Sequence, residues 1–313
     1  MDIINRQIIG INHICTDLDN EIDELLGIKK DNIKDILVLS GGGTKMPIHI
    51  GVLLALEKLD MLRYIKTISG TSAGAIIGML YSIGYSPSQI RTLFFKIELN
   101  SLKSHDQCNI LFDFGLDGGS NFNTINTKFL ELKGFNKNLT FIDHYKKTGI
   151  ELIMNGSCLN DKKCYYFSKD TYPNMKIIEA LRITSALPGA FTPYKFEGKY
   201  FSDGGCTENY PIRKFRDCRN RIIGIYLFGE YNENDSIDNF EDFLLTTFNT
   251  MWRGLDVNSV YGYEDCTLVI KSGKIATTFT DNKYNMDKKE VCRLCDLGYS
   301  SVMNKYSKIN NPK

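Results

Sequence analysis

A β-branched run at Ile65 to Ile68 leads into Gly70-Thr71-Ser72-Ala73-Gly74 and on into the small apolar segment Ala75-Ile76-Ile77-Gly78. This order predicts a strand, a sharp turn and a buried helix, with Ser72 at the turn and Gly70 and Gly74 at G-x-S-x-G spacing around it. Glycine is required on both sides because a Cβ there would collide with the adjoining strand or helix. A serine just before a helix start also sits in the positive end of the helix dipole, which favours developing negative charge. The pattern marks Ser72 as a candidate nucleophile, a reading that needs support from elsewhere in the chain.

The segment upstream supplies some of it. Asp35-Ile36-Leu37-Val38-Leu39-Ser40 is a continuous apolar run between polar and glycine residues, as in a parallel strand buried on both faces. It feeds Gly41-Gly42-Gly43-Thr44-Lys45 and then a helical pattern from Met46 to Lys58. A phosphate-binding loop is excluded because no Gly-Lys-Ser/Thr follows at the required distance. A dinucleotide fingerprint fails at Met46, where a third glycine is needed for close helix–strand packing. An oxyanion hole fits best: consecutive glycines aim backbone N–H groups at one spot, and the following helix start reinforces them.

A second candidate site lies at Lys199-Tyr200-Phe201-Ser202-Asp203-Gly204-Gly205, where a carboxylate ends a short strand and two glycines follow. Serine needs a base to take its proton. The common order of serine, then acid, then histidine is impossible beyond Asp203, because the histidines are His13, His49, His105 and His144. Either a histidine is recruited out of order, with His49 the nearest rival, or Asp203 is itself the base.

Other elements follow from pattern and caps. Helices are expected from Ser86 to about Leu99, from Thr140, over Met175 to Ser185, over Phe240 to Trp252 and over Asp287 to Lys305. Strands are expected at Ile150–Met154, Lys163–Phe167, Arg221–Leu227 and Cys266–Ile270. From about Asn100 to Asn123 the pattern dissolves into a loop with Phe112 and Phe114, either a plain connection or the rim of a pocket. The alternation of strands and helices predicts one α/β domain with a mostly parallel central sheet. Its parts are a leader at 1–33, a core at 34–230, and helices and a strand at 231–313 that complete it.

Lys+Arg 38 against Asp+Glu 37 leaves a formal charge of +1, so no global field draws nucleic acid. No apolar run is long enough to span a bilayer as a helix, and Met1-Asp2-Ile3-Ile4-Asn5 does not open like a secretory signal. Nine scattered cysteines are expected to be reduced, which points to an intracellular, cytoplasmic setting. Cys292-Arg293-Leu294-Cys295 has no second close pair to complete a zinc site and falls in a helical pattern, so no metal is expected there.

Ser40-Gly41-Gly42-Gly43-Thr44-Lys45, Gly70-Thr71-Ser72-Ala73-Gly74, Ala186-Leu187-Pro188 and Asp203-Gly204-Gly205 with Asn209-Tyr210-Pro211 together resemble the patatin-like phospholipase family in order and spacing. The resemblance covers about residues 35 to 230. It implies an α/β three-layer sandwich and a Ser–Asp dyad, with Ser72 as nucleophile and Asp203 as base. It further implies Gly41, Gly42, Gly43 and Lys45 at the oxyanion hole, and Gly70, Gly74, Gly204 and Gly205 flanking the dyad. The implied reaction is hydrolysis of fatty acyl esters in phospholipids or neutral lipids at a membrane or lipid-droplet surface, without metal or cofactor. One departure is Met46, where members usually carry glycine. A thioesterase, a peptidase and a catalytically silent storage or interaction protein are the alternative readings.

Overall fold

The computed structural model describes residues 33–96, 113–230, 237–238, 240–274 and 288–306. The leader at 1–32, His13, His105, Phe112 and the expected helix end at 97–99 lie outside the described residues. In chain order the elements are β1 (Ile36–Leu39), α1 (Met46–Lys58), β2 (Thr67–Gly70), α2 (Ala73–Ser82) and α3 (Pro87–Lys96). Next come β3 (Gly115–Asp117), α4 (Ser120–Leu132), α5 (Phe141–Thr148), β4 (Glu151–Cys158), β5 (Lys163–Phe167) and α6 (Ile177–Thr184). The remainder comprises β6 (Gly189–Phe191), β7 (Tyr194–Phe196), β8 (Lys199–Asp203), α7 (Gly205–Glu208), the 3-10 segment Pro211–Arg221, β9 (Ile222–Glu230), α8 (Phe240–Val257), β10 (Thr267–Lys274) and α9 (Lys288–Tyr306).

The central sheet runs β10-β9-β1-β2-β4-β8-β7, with β5 on the other edge of β4. From β10 to β4 every pairing is parallel, while β5, β8 and β7 join antiparallel. Strand β1 explains why its sequence is apolar without alternation. Leu37 and Leu39 enter the larger core with α1, α2, α6 and α9, whereas Ile36 and Val38 enter a second core with Tyr210, Ile212 and Phe215. Both faces of the strand are therefore covered, as parallel sheets require. The sheet is the middle layer between helices on one face and the 3-10 segment on the other.

The C-terminal elements belong to the same body. Strand β10 pairs with β9, and α9 lies against α1 so closely that a Cβ on Gly51 would strike the backbone of Cys295 and one on Gly298 that of Ile48. Cys295 is buried in this contact and Cys292 is half-buried. No cluster fit to hold a metal occurs among the described residues.

The stretch expected to be irregular up to Asn123 is corrected. Gly115–Asp117 pairs in parallel with Gly189–Phe191, and α4 begins at Ser120 behind Gly119 in the left-handed region. A three-residue strand whose partner is distant in sequence leaves no periodic signal, and two glycines with an asparagine-rich start hide the helix.

The register on β4 places the site. Gly70, the last residue of β2, pairs with Met154, and Asp203, the last residue of β8, pairs with Gly156 on the same edge. The two strands run toward each other along one neighbour and stop two residues apart, about 7 Å along the strand. The chain leaving β2 and the chain leaving β8 therefore meet head-on.

Candidate active site

Ser72 sits where β2 turns into α2, with φ 49° and ψ −117°, a conformation costly for a non-glycine residue. Its surroundings hold it there. The Ser72 N–H donates to Thr184 Oγ1 at 3.0 Å, the Thr71 N–H donates to the Leu39 carbonyl at 3.2 Å, and the Thr71 hydroxyl donates to Asn155 Oδ1 at 2.7 Å. The flanking glycines are needed for close approach. A Cβ on Gly74 would lie 2.6 Å from the carbonyl oxygens of both Leu39 and Ser40, and one on Gly70 would lie 2.6 Å from the Ala75 amide nitrogen.

Asp203 is buried at the end of β8, accepts a hydrogen bond from the Gly205 N–H at 2.7 Å and has the Ser72 side chain beside it as a second polar neighbour. Burial raises its pKa from the usual carboxylate range to about 7, against the opposing pull of those two neighbours. A carboxyl group held near neutrality exchanges a proton far more readily than one left in water. Its backbone is fixed at both ends: the Asp203 N–H donates to the Ala186 carbonyl at 2.8 Å, and the Ser157 hydroxyl donates to the Asp203 carbonyl at 2.7 Å. The Ser202 hydroxyl also donates to Ala186, which gives the Ala-Leu-Pro motif a physical role as the anchor of the Asp203 strand.

The glycine loop closes over Ser72. A Cβ on Gly41 would lie 3.6 Å from Ser72 Cβ and would clash with Asn209 Oδ1. The Gly41 N–H is taken by the Asn209 carbonyl at 2.9 Å, so Gly41 anchors the loop and is not an oxyanion donor, a correction to the expected set. The same bond gives the Asn-Tyr-Pro motif its part in the site. Gly42 lies against Leu227, and Gly43 takes φ 51° with open space where a Cβ would stand. The Lys45 side chain runs onto β9, with its ammonium over Gly229. Met46 adopts ordinary helical angles, and its side chain packs against the main core, so this position makes no demand for glycine.

His49 is fully buried in α1 and donates from Nε2 to the Ser40 carbonyl at 2.8 Å. Burial lowers its pKa to about 4, so it is neutral at physiological pH. It braces the strand end that carries the glycine loop, while the hydroxyl of Ser72 faces Asp203. His144 is likewise buried, bonded to Ser82 Oγ and lowered by burial to about 4.

Four residues around Ser72 and Asp203 carry no motif in the sequence. Thr184 accepts the Ser72 amide. Asn155 links Thr71 to the end of α7 by donating to the Glu208 carbonyl at 2.8 Å, and a Cβ on Gly204 would strike its side chain. Arg182, buried on α6, donates to the Gly118 and Thr192 carbonyls and so ties β3 and β6 to the helix that bears Thr184. Trp252 on α8 donates from Nε1 to the Gly205 carbonyl at 2.6 Å. Side chains buried from β4 or at the end of a helix are the signal for the first two, but their pairing is visible only in three dimensions.

Residues 37–216 match the family model described as patatin-like phospholipase. The chain is 32% identical over 297 residues to "Uncharacterized protein R571" of Acanthamoeba polyphaga mimivirus, covering 91% of this chain and 97% of that protein. It is 33% identical over 214 residues to "Probable lipid hydrolase 463L" of Invertebrate iridescent virus 6, covering 63% of this chain and 72% of the relative. Among solved structures, VipD from Legionella pneumophila superposes with a TM-score of 0.65 at 17% identity, over 87% of this chain and 66% of that one, a likeness of fold.

Proposed function

The chain belongs to the patatin-like phospholipase family and is a lipid ester hydrolase; from that premise we propose that it cleaves fatty acyl esters of phospholipids or neutral lipids through a Ser72–Asp203 dyad. The observation that carries this reading is the head-on meeting of β2 and β8 on one edge of β4, which brings the Ser72 turn up to the buried carboxylate of Asp203, whose pKa is raised to about 7.

As Ser72 Oγ attacks the acyl carbon, Asp203 takes its proton. The carbonyl oxygen becomes an oxyanion, and the N–H groups of Gly42 and Gly43, unlike that of Gly41, remain to receive it. Collapse of this intermediate breaks the ester bond, and Asp203 returns the proton to the leaving alcohol. The acyl-enzyme is then opened by water, with Asp203 accepting the water proton and Ser72 recovering its hydrogen as the fatty acid leaves. Lys45 supports the loop from the β9 side. The substrate is met at a lipid surface; no helix among the described residues is long and apolar enough to cross a membrane.

A fluorophosphonate probe tests the reading. It should label Ser72, mapped by peptide mass, and Ser72→Ala should abolish both labelling and ester hydrolysis while leaving the fold intact. Labelling at another residue, or turnover retained in folded Ser72→Ala, overturns it. A panel of lipid, thioester and peptide substrates separates lipid ester hydrolysis from the same chemistry on other acyl groups.

A further inference from the structure

Beyond Asp203 the sheet continues as an antiparallel extension, β5-β4-β8-β7. Strand β8 enters from the tip of this extension at Lys199 and reaches the site at Asp203, so the tip stands about 13 Å past the dyad on the same edge of the sheet. Two turns lie side by side there, the β4–β5 turn at 159–162 and the β7–β8 turn at 197–198. They are stitched together. The Leu159 N–H donates to the Tyr200 carbonyl at 2.9 Å, the Tyr200 N–H donates to Asn160 Oδ1 at 2.7 Å, and Lys199 pairs with Asp161 at 2.6 Å.

What this ridge presents to solvent is unusual for a pair of turns. Leu159 is 49% exposed and Tyr200 40% exposed, although the Leu159 N–H and both backbone groups of Tyr200 are hydrogen-bonded. Lys162 is exposed in the β4–β5 turn, Lys195 on the face of Tyr200, and Lys163 on the opposite face of the same tip. The Lys163 ammonium lies over the Tyr165 ring and that of Lys195 over the Tyr200 ring. Asp161 pairs with Lys199 and lies near Lys163, so on and beside the two turns the carboxylates of Asp161 and Glu197 stand against the four ammonium groups of Lys162, Lys163, Lys195 and Lys199. A rigid projection with apolar residues at its apex and an excess of ammonium groups around them is complementary to one kind of surface, an anionic lipid headgroup layer over hydrocarbon.

We propose that the tip formed by Leu159, Lys162, Lys163, Lys195 and Tyr200, with lysines on both of its faces, docks the enzyme on anionic lipid surfaces. The proposal rests on the lipid hydrolase reading for its biological sense, but it is tested separately from it. Leu159 and Tyr200 enter the interface, and the lysines remain among the headgroups. Each lysine held near an anionic surface contributes about 5-fold in partition.

The test uses the full chain carrying Ser72→Ala, so that vesicles stay intact during sedimentation. Binding to phosphatidylcholine vesicles containing phosphatidylserine should exceed binding to phosphatidylcholine alone and should weaken as salt is raised. Lys162→Gln/Lys163→Gln/Lys195→Gln should lower binding to the anionic vesicles on the order of 100-fold at low salt. Leu159→Ser/Tyr200→Ser should lower binding to both vesicle types. The same substitutions placed on active Ser72 should leave hydrolysis of a short soluble ester and fluorophosphonate labelling unchanged, which also shows that they fold. Binding that ignores phosphatidylserine, or that survives the triple substitution, overturns the proposal. So does a dimer in solution that the same substitutions abolish, which assigns the ridge to a second copy of the chain. Loss of ester hydrolysis in wild type would defeat the catalytic reading and leave vesicle binding as its own measurement.

Discussion

The amide of Ser72 donates to the hydroxyl oxygen of Thr184 at 3.0 Å, across the join between the β2–α2 turn and the end of α6. This bond holds a non-glycine residue at φ 49°, with Thr184 fully buried and Ser72 half-buried. Thr184→Val keeps the shape and removes the acceptor. A polar group that loses its hydrogen-bond partner costs about 1–3 kcal/mol, so kcat should fall roughly 5- to 150-fold with KM little changed. Thr184→Ser should restore most of the rate. Equal damage by valine and serine would mean that the methyl group, and not the hydrogen bond, supports the turn.

With Asp203 as the proposed base, its titration sets the pH dependence. Its folded pKa is raised to about 7, and the deprotonated form is the base, so kcat/KM should climb with pH through about 7 and then level off. Asp203→Asn keeps the hydrogen-bond acceptor for Gly205 but cannot take a proton, and should lose about 10²–10⁴-fold. A wild-type profile flat from pH 5 to pH 9 would remove Asp203 from the base role.

The same shift makes a stability prediction of opposite sign. A carboxyl whose folded pKa lies above its unfolded value binds its proton more tightly in the native state. Stability therefore falls as pH rises from the ordinary carboxylate range to about 7, and the penalty is complete above that. Asp203→Asn removes it. The variant should melt at a higher temperature than wild type at pH 8, and the difference should vanish toward pH 4. Melting curves at the two pH values check this, and a variant less stable at pH 8 would show that the carboxylate is well solvated or paired in the native state.

His49 is predicted to be replaceable. Its pKa is lowered to about 4 and its Nε2 hydrogen is used on Ser40, so it carries no proton traffic at neutral pH. His49→Gln offers a side-chain N–H for the same carbonyl and should cost about 10-fold or less, below the range for loss of a general base. Collapse of activity in a folded His49→Gln enzyme, with Asp203→Asn active, would reverse the two assignments.

The strands and the turn at Ser72 were legible because their signals are local: an apolar run that ends in glycine, then small residues at helical spacing. The approach of Asp203 to Ser72 was not legible from spacing, since it depends on β2 and β8 sharing one edge of β4 in opposite directions. The glycine run showed where an oxyanion loop would be, but not that Asn209 occupies the Gly41 N–H. Thr184 and Asn155 each share their element with other polar residues, and one chain gives such residues no distinguishing pattern until their partners are known. The short β3–β6 pairing failed for the same reason, because three residues hold no period and their partner lies far along the chain.

Trp252 offers a direct view of the loop that carries the proposed base. It is the single tryptophan of the chain, and its Nε1–H donates to the carbonyl of Gly205, whose own N–H donates to Asp203. The indole therefore reports on the peptide groups that position the base, without interference from a second fluorophore of its kind. Covalent labelling of Ser72 should remove its hydroxyl proton from beside Asp203, shift the Gly205 peptide and change the emission of Trp252, whereas Ser72→Ala mixed with the same probe should not change. Trp252→Phe keeps much of the apolar contact and deletes one hydrogen bond, a net loss of about 0.5–1.5 kcal/mol, so activity should fall roughly 2- to 10-fold. The ordering of these effects is informative: a fluorescence change on labelling together with a modest rate loss in Trp252→Phe means that α8 supports the Asp203 loop. Full activity in Trp252→Phe and constant emission on labelling would instead make the indole a packing residue with no hold on the dyad.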